Sequence, residues 1–194
     1  MKTPRQDDLF QNDKKLAPRR ITHGGSRAHG RATRPLDRKR SVHLVLKSSS
    51  AKGKMSLLTH KLKVKKILDD RAKQFHVKIH KQENMGNHIH VVASFARREG
   101  FQHFLRTVTA LIAREVTGAR KGRPFGRRFW DELAFTRVVM GWRDYRSVTN
   151  YLKKNEIERE HGALGRRAVE EYEAALVKAR RKGVDVWRIL ESVD

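Results

Sequence analysis

The sequence predicts an α+β fold. Stretches in which apolar residues have the period of a strand are interspersed along the chain with stretches in which they have the period of a helix. Four stretches alternate apolar and polar residues and are rich in β-branched side chains, the two-residue period of a strand: residues 41–47, 75–81, 88–93 and 134–140. Two other stretches repeat apolar residues at the three-to-four spacing of a helix: residues 57–75 and 101–116. Strands and helices therefore follow one another as β-α-β-β-α-β.

This order is that of a ferredoxin-like fold, an antiparallel sheet with two helices on one face. A further helix is predicted from Asp144, as its N-cap, to about Glu160, and a last helix over residues 166–181. Residues 1–40 hold many basic residues and are interrupted by glycine and proline. We therefore expect a basic, flexible arm over 1–40, a folded domain over 41–160 and a C-terminal helical extension over 161–194.

The charge of the chain indicates a polyanionic partner. Lysine and arginine number 45 against 21 acidic residues, a formal net charge of +24. Phosphate neutralisation with release of counterions makes nucleic acid the expected partner, ahead of an acidic membrane surface. No apolar run is long enough to span a membrane and the start lacks an apolar signal segment, so a cytoplasmic location is expected.

The absence of cysteine restricts the chemistry. Zero cysteines exclude disulfides, thiolate catalysis and cysteine-based zinc sites. Any metal ion would have to be held by histidine, carboxylate, amide or water.

His88 and His90 are the first candidate metal ligands. They follow a predicted turn at Gly86 and Asn87, and alternation along the strand places both imidazoles on one face, about 7 Å apart. Two such imidazoles can bind one divalent ion. The pattern alone also fits two strand histidines that bind nothing.

Tyr151 and Asn155 are the candidates on the helix that follows the fourth strand. They are four residues apart and share a helical face, so a hydroxyl nucleophile and an amide ligand would be presented together. Spacing alone also allows Tyr151 to pack with the core. Tyr145 and Tyr172 remain alternative nucleophiles, although Tyr172 stands among glutamates.

A basic loop over residues 119–128 is a candidate DNA contact. Its cations could hold phosphates, as could one lysine on the later helix: Arg120, Lys121, Arg123, Arg127, Arg128 and Lys154. Phe125 or Phe129 could stack on an unpaired base. The alternatives are a solvated loop whose aromatic residues pack inward and, for Lys154, a solvated helix face.

Three motifs in one order then narrow the interpretation. They are Met85-Gly86-Asn87-His88-Ile89-His90, Phe129-Trp130 and Tyr151-Leu152-Lys153-Lys154-Asn155. This combination resembles the single-tyrosine HUH transposases, the insertion-sequence-200 kind and their REP-associated relatives, over about residues 41–159. Gly86 stands where that family usually has proline, and Glu156 where its asparagine is often followed by proline.

The resemblance implies a metal-dependent endonuclease and strand transferase that acts on single-stranded DNA beside a hairpin or palindrome. His88 and His90 would hold Mg²⁺ or Mn²⁺, with Asn155 or a nearby group as the remaining protein ligand, and Tyr151 would attack phosphorus to give a 5′-phosphotyrosine. It also implies a monomer or a homodimer, associated with the nucleoid.

Two other functions remain open from the sequence. One is a DNA- or RNA-binding regulator of the same fold that has lost catalysis. The other is a basic structural component of a ribonucleoprotein, in which the histidine pair has no role.

Overall fold

The computed structural model describes residues 22–24 and 34–182, which form five strands and four α-helices. The strands are β1 (Thr22–His23), β2 (Val42–Lys47), β3 (Val77–Asn84), β4 (His88–Phe95) and β5 (Phe135–Val138). The helices are α1 (Lys61–Gln74), α2 (Arg98–Thr117), α3 (Trp142–His161) and α4 (Gly165–Arg181). The predicted α+β class is confirmed.

The strands form one antiparallel sheet in the order β1-β5-β2-β4-β3. Four of them, with α1 and α2, follow the chain as β-α-β-β-α-β, so the ferredoxin-like arrangement is confirmed. The edge strand β1 pairs Thr22 with Arg137 of β5. The sequence did not indicate β1, because two residues are too few to show a strand period.

The hydrophobic core lies on the sheet face that packs against α1 and α2. Alternate residues of β2 and β4 meet the apolar faces of the helices there; the fully buried members include Leu44, Leu46, Ile89, Phe101, Phe104, Val108 and Ile112. The remaining residues of these strands point to the opposite face. Several of these are also buried although they are polar, among them His43 and His90, and Arg137 of β5 is buried as well. That second face is the one that carries the candidate site.

Element boundaries differ from the sequence expectation in two instructive places. Strand β3 continues to Asn84, past a β-bulge between Ile79 and Lys81 that breaks the simple alternation. Helix α3 begins at Trp142, so the prediction of Asp144 as N-cap is wrong. The Asp144 carboxylate instead sits in the first turn and accepts a hydrogen bond from the Met140 N–H at 2.7 Å, which stabilises the helix start from the inside.

The described residues fall into two compact units, one that ends at Tyr145 and one that begins at Arg146. In the second unit, the rest of α3 contacts α4 through a hydrogen bond from the Tyr172 hydroxyl to Asn150 Oδ1 at 3.4 Å. Gly165 lets the start of α4 approach Glu158, since a Cβ there would lie 2.7 Å from backbone atoms. Most of the predicted arm and residues 183–194 lie outside the described residues, and the predicted division into domains stays a prediction.

Within the described part of the chain, no helix is long and apolar enough to cross a membrane.

Candidate functional site

His88 and His90 lie at the start of β4 with their rings side by side. The ring centroids are 4.8 Å apart and the ring planes are nearly perpendicular, at 83°. His90 is fully buried, whereas His88 is half-buried. The two imidazoles share one face of the strand, as its alternation predicts, and His88 is the more accessible of the two.

The turn before β4 is held in place from two sides. Asn84 Nδ2 donates to the Leu57 carbonyl at 2.8 Å, and Asn84 Oδ1 accepts from the Gly86 N–H at 3.0 Å. The Ser48 N–H donates to the Asn87 carbonyl at 2.8 Å and ties the turn to the end of β2. Gly86 has φ of +88°, a conformation that proline cannot adopt. Glycine at this position therefore gives a turn that the proline of the resembled family could not form.

Each histidine of the pair is hydrogen-bonded through Nδ1. The Asn87 amide oxygen lies 2.6 Å from His88 Nδ1. Because this oxygen only accepts, the contact favours the tautomer of His88 with its proton on Nδ1 and a lone pair on Nε2. His90 Nδ1 lies 3.0 Å from His43 Nε2. A neighbour that holds one ring nitrogen fixes the orientation and tautomer of a metal-binding histidine.

The environment keeps these imidazoles neutral. Burial, followed by the positive charge of Lys47, lowers the pKa of His88 to about 4. Burial is also the main cause that lowers the pKa of His90 well below its usual value, with His43 and His88 contributing. Burial and then Arg137 lower the pKa of His43 to about 3. The neutral form is the one that donates a lone pair to a metal ion.

Two charged residues that the sequence pattern did not indicate lie directly across from the pair in the sheet. Lys47 of β2 is paired with His88 and is exposed, where it could meet a phosphate. Glu83 of β3 is paired with His90 and is only 9% exposed. Both follow from strand register, which the pattern of a single strand does not contain.

His88 and His90 provide part of the coordination that a divalent ion needs. Among the described residues, no group of three or more histidine, cysteine or acidic side chains stands where it could hold a metal. Two neutral imidazoles held through Nδ1 do provide two nitrogen donors, and amide, water or substrate oxygens would complete the coordination. This matches the ligand types to which a chain without cysteine is restricted.

Tyr151 and Asn155 lie one turn apart on α3, in the second unit. Tyr151 is half-buried. The Asn155 Nδ2 atom is buried and makes no hydrogen bond within the part of the chain that is described. Of the rival tyrosines, Tyr172 donates to Asn150 and Tyr145 stacks on Trp142. The roles of Tyr151 and Asn155 stay predictions.

The basic loop exposes all five of its predicted cations: Arg120, Lys121, Arg123, Arg127 and Arg128. A pair of backbone hydrogen bonds between Arg120 and Arg123, of 3.1 and 2.9 Å, closes it into a tight turn beside a cleft of about 580 Å³. The guanidinium of Arg127 lies 5.3 Å from the centre of the Phe125 ring. Lys154, the sixth predicted contact, forms an ion pair with Glu173.

Phe129 is only 6% exposed and belongs to the core, so the prediction that it could stack on a base is wrong. The Phe129 carbonyl accepts from the Ser48 hydroxyl, and Trp130 Nε1 donates to the Thr109 carbonyl at 2.9 Å. Asp131 N–H donates to the Lys47 carbonyl at 3.0 Å. The Phe-Trp motif therefore fastens the end of the loop to α2 and to the end of β2, beside Lys47.

Comparison with known proteins supports the fold. No family model matches the chain, and no curated protein matches it. Among solved structures, the chain is similar to a REP-associated tyrosine transposase bound to a REP hairpin, with a TM-score of 0.51 and 12% sequence identity. The similarity covers 69% of this chain and 75% of that one. At this identity the similarity shows a shared fold.

Proposed function

We propose that this protein nicks and rejoins single-stranded DNA at a hairpin or palindrome, with Tyr151 as the nucleophile. The observation that carries the proposal is the His88 and His90 pair, neutral and held through Nδ1 on one strand of a ferredoxin-like sheet. The net charge of +24 supports a nucleic-acid substrate. The shared fold with a hairpin-bound transposase supports the choice of DNA.

In this proposal His88 and His90 would be ligands to Mg²⁺ or Mn²⁺, and Asn155 would supply an amide oxygen. The bound ion would withdraw charge from the scissile phosphate. Lys47, exposed opposite His88, would contact the same phosphate or its neighbour and help to hold the strand. His43 would keep His90 oriented throughout.

The Tyr151 oxygen would attack phosphorus, so that an oxygen–phosphorus bond to the tyrosine forms and the bond to the 3′ oxygen breaks. The phenolic proton is lost to solvent and the 3′ oxygen leaves as a hydroxyl. A phenolate is a good leaving group, so the 5′-phosphotyrosine conserves the bond for rejoining to another 3′ end. This chemistry requires Tyr151, from the same chain or from a second copy, to reach the phosphate held by the histidines.

The test is covalent capture of labelled DNA. Full-length protein is incubated with a 3′-labelled single-stranded hairpin oligonucleotide and Mn²⁺, and adducts are separated under denaturing conditions. Wild type should form an adduct, Tyr151→Phe should form none, and His88→Ala should reduce it at least tenfold. Tyr172→Phe is the matched control and should react like wild type. An adduct retained by Tyr151→Phe would assign the nucleophile to another tyrosine, and no adduct with any divalent ion would overturn the enzymatic proposal.

A second function is favoured by one observation: among the described residues, no group of three or more histidine, cysteine or acidic side chains is placed so that it could hold a metal ion. A protein with an incomplete site could bind DNA as a regulator without cutting it. Salt-sensitive binding of the hairpin with no adduct would support this function. Under either function the protein would act at the nucleoid, as a monomer or a homodimer.

A further inference from the structure

An exposed aromatic stack lies at the start of α3. Trp142 is the first residue of the helix and is 57% exposed, a large exposure for an apolar ring of its size. One face of its indole lies on Tyr145, with ring centroids 5.6 Å apart and planes only 11° from parallel. The exposed area therefore lies on the other face and the edge of the indole.

The stack is built on rigid supports. The Tyr145 and His80 rings are perpendicular, with centroids 6.3 Å apart and planes at 87°, and His80 Nε2 is hydrogen-bonded to Ser94 Oγ at 2.9 Å. The backbone of Tyr145 is held as well, because its N–H donates a hydrogen bond to the Gly141 carbonyl at 2.9 Å. Because these contacts orient the rings in advance, a ligand that stacks on Trp142 would order little of the protein on binding.

The charges around the stack are positive. Arg143 follows Trp142 and is exposed, and Lys78, also exposed, is paired in register with Ser94 beside His80. The nearby carboxylate of Asp144 is directed inward, to Arg137 and the Met140 N–H. The exposed indole face of Trp142, with cationic side chains near it, suits a nucleic acid, which has negative phosphates and flat bases, better than it suits an apolar protein surface.

We propose that the Trp142 and Tyr145 stack is a binding site for an unpaired base of single-stranded DNA, with Lys78 as a contact to the adjoining phosphate. The inference rests on the proposed function only in taking single-stranded DNA as the ligand. The site is sequence-tolerant, because every base has a face that can stack. It would hold the strand outside the nicking site and keep a flanking base unpaired.

The test is binding of a fluorescent single-stranded oligonucleotide to full-length protein in EDTA. Trp142→Leu should weaken binding about tenfold, whereas Trp142→Phe, which keeps a stacking ring, should stay within about threefold of wild type. Leu62→Ala, which alters another exposed apolar residue, should bind like wild type. Lys78→Gln should lower the salt dependence of log affinity by about one, and Trp142→Leu should leave it unchanged.

An abasic scan locates the base. At one position of the oligonucleotide, removal of the base should weaken wild-type binding about tenfold and have no further effect on Trp142→Leu. Tryptophan fluorescence gives a second readout that does not require the Trp142→Leu variant. Oligothymidine should quench the emission of wild type more than the emission of Trp142→Phe. Equal affinities of wild type and Trp142→Leu would overturn this inference and leave the proposed function standing. Failure of wild type to bind any single strand in EDTA would overturn this inference, and failure to bind in Mn²⁺ as well would also overturn the proposed function.

Discussion

His43 Nε2 and His90 Nδ1 lie 3.0 Å apart in a hydrogen bond that is fully buried. The rings also stack, with centroids 5.2 Å apart and planes 16° from parallel. His43 pairs with Val92 in the register of β2 against β4, so it reaches His90 as a diagonal neighbour on the same face. A proton on His90 Nδ1 would be accepted by His43 and would leave Nε2 as the metal-binding atom.

Loss of this hydrogen bond should weaken metal binding more than it weakens the fold. His43→Leu should reduce Mn²⁺ affinity by about 10- to 100-fold, because His90 then loses its orienting partner. His43→Gln places an amide within reach of His90 Nδ1 and should recover most of that affinity. Electron paramagnetic resonance of free Mn²⁺ measures the affinities without DNA, and circular dichroism checks the fold. Wild-type affinity in His43→Leu would contradict a positioning role.

The buried histidines should make stability depend on pH in the acid range. The pKa of His43 is lowered to about 3 and that of His88 to about 4, below the ordinary value of 6.5. Between pH 4 and pH 6.5 the unfolded chain binds more protons than the folded protein. The free energy of unfolding is therefore greatest above pH 6.5 and falls as the pH drops towards 4. Urea unfolding at pH 7.5, 6, 5 and 4.5 measures this fall.

His88→Asn should flatten that curve by about one proton, because one of the titrating groups is gone. His161→Gln, a change at the exposed end of α3, leaves the buried groups in place and is the control. A urea midpoint that does not move between pH 7 and pH 4.5 would show that these imidazoles do not stay neutral in the folded protein.

Breaking the ion pair between Arg137 and Asp144 should lower the free energy of unfolding far more than breaking an exposed ion pair of α1. The paired atoms of Arg137 and Asp144 are 2.7 Å apart and the two side chains are only 3% and 9% exposed. Asp144→Ala leaves the guanidinium buried without that carboxylate and removes the acceptor for the Met140 N–H, so the free energy of unfolding should fall by about 3–5 kcal/mol. Chemical denaturation measures the change.

The matched control for that pair is Asp69→Ala, which breaks the exposed ion pair with Lys65 on α1. Exposed pairs at this spacing contribute about 0.3–0.5 kcal/mol, so its effect should be small. Equal losses of unfolding free energy in Asp144→Ala and Asp69→Ala would mean that burial does not increase the contribution of the Arg137 and Asp144 ion pair.

The basic loop should set the salt dependence of DNA binding. Arg120→Gln combined with Arg123→Gln removes two exposed cations beside the cleft, so the slope of log affinity against log salt should fall by about two if both contact phosphate. Fluorescence anisotropy at several salt concentrations gives the slope. Lys66→Gln, on α1 and paired with Asp70, is the control. An unchanged slope in the double variant would remove the loop from the DNA contact surface.

The sequence by itself determined the β-α-β-β-α-β order of the central elements and the side-by-side placement of His88 and His90, because both follow from periods of two and of three to four residues. It also determined the net charge and the exclusion of cysteine chemistry. Local periodicity does not show which strand lies beside which. Phe129 shows the consequence: an aromatic residue in a basic loop has the sequence pattern of a base contact, yet its position against the core decides that it packs.

Tertiary structure alone decided the contacts that depend on strand register and on turns. The pairing of β2 with β4 brings His43 to His90 and Lys47 to His88, although each pair is more than forty residues apart in the chain. The aromatic stack of Trp142 depends on α3 starting at Trp142, three residues before the Tyr145 start that an N-cap at Asp144 implies, because Asp144 caps from inside the first turn. Long-range pairing and side-chain capping are set by the packing of the whole fold, and a single stretch of sequence does not contain them.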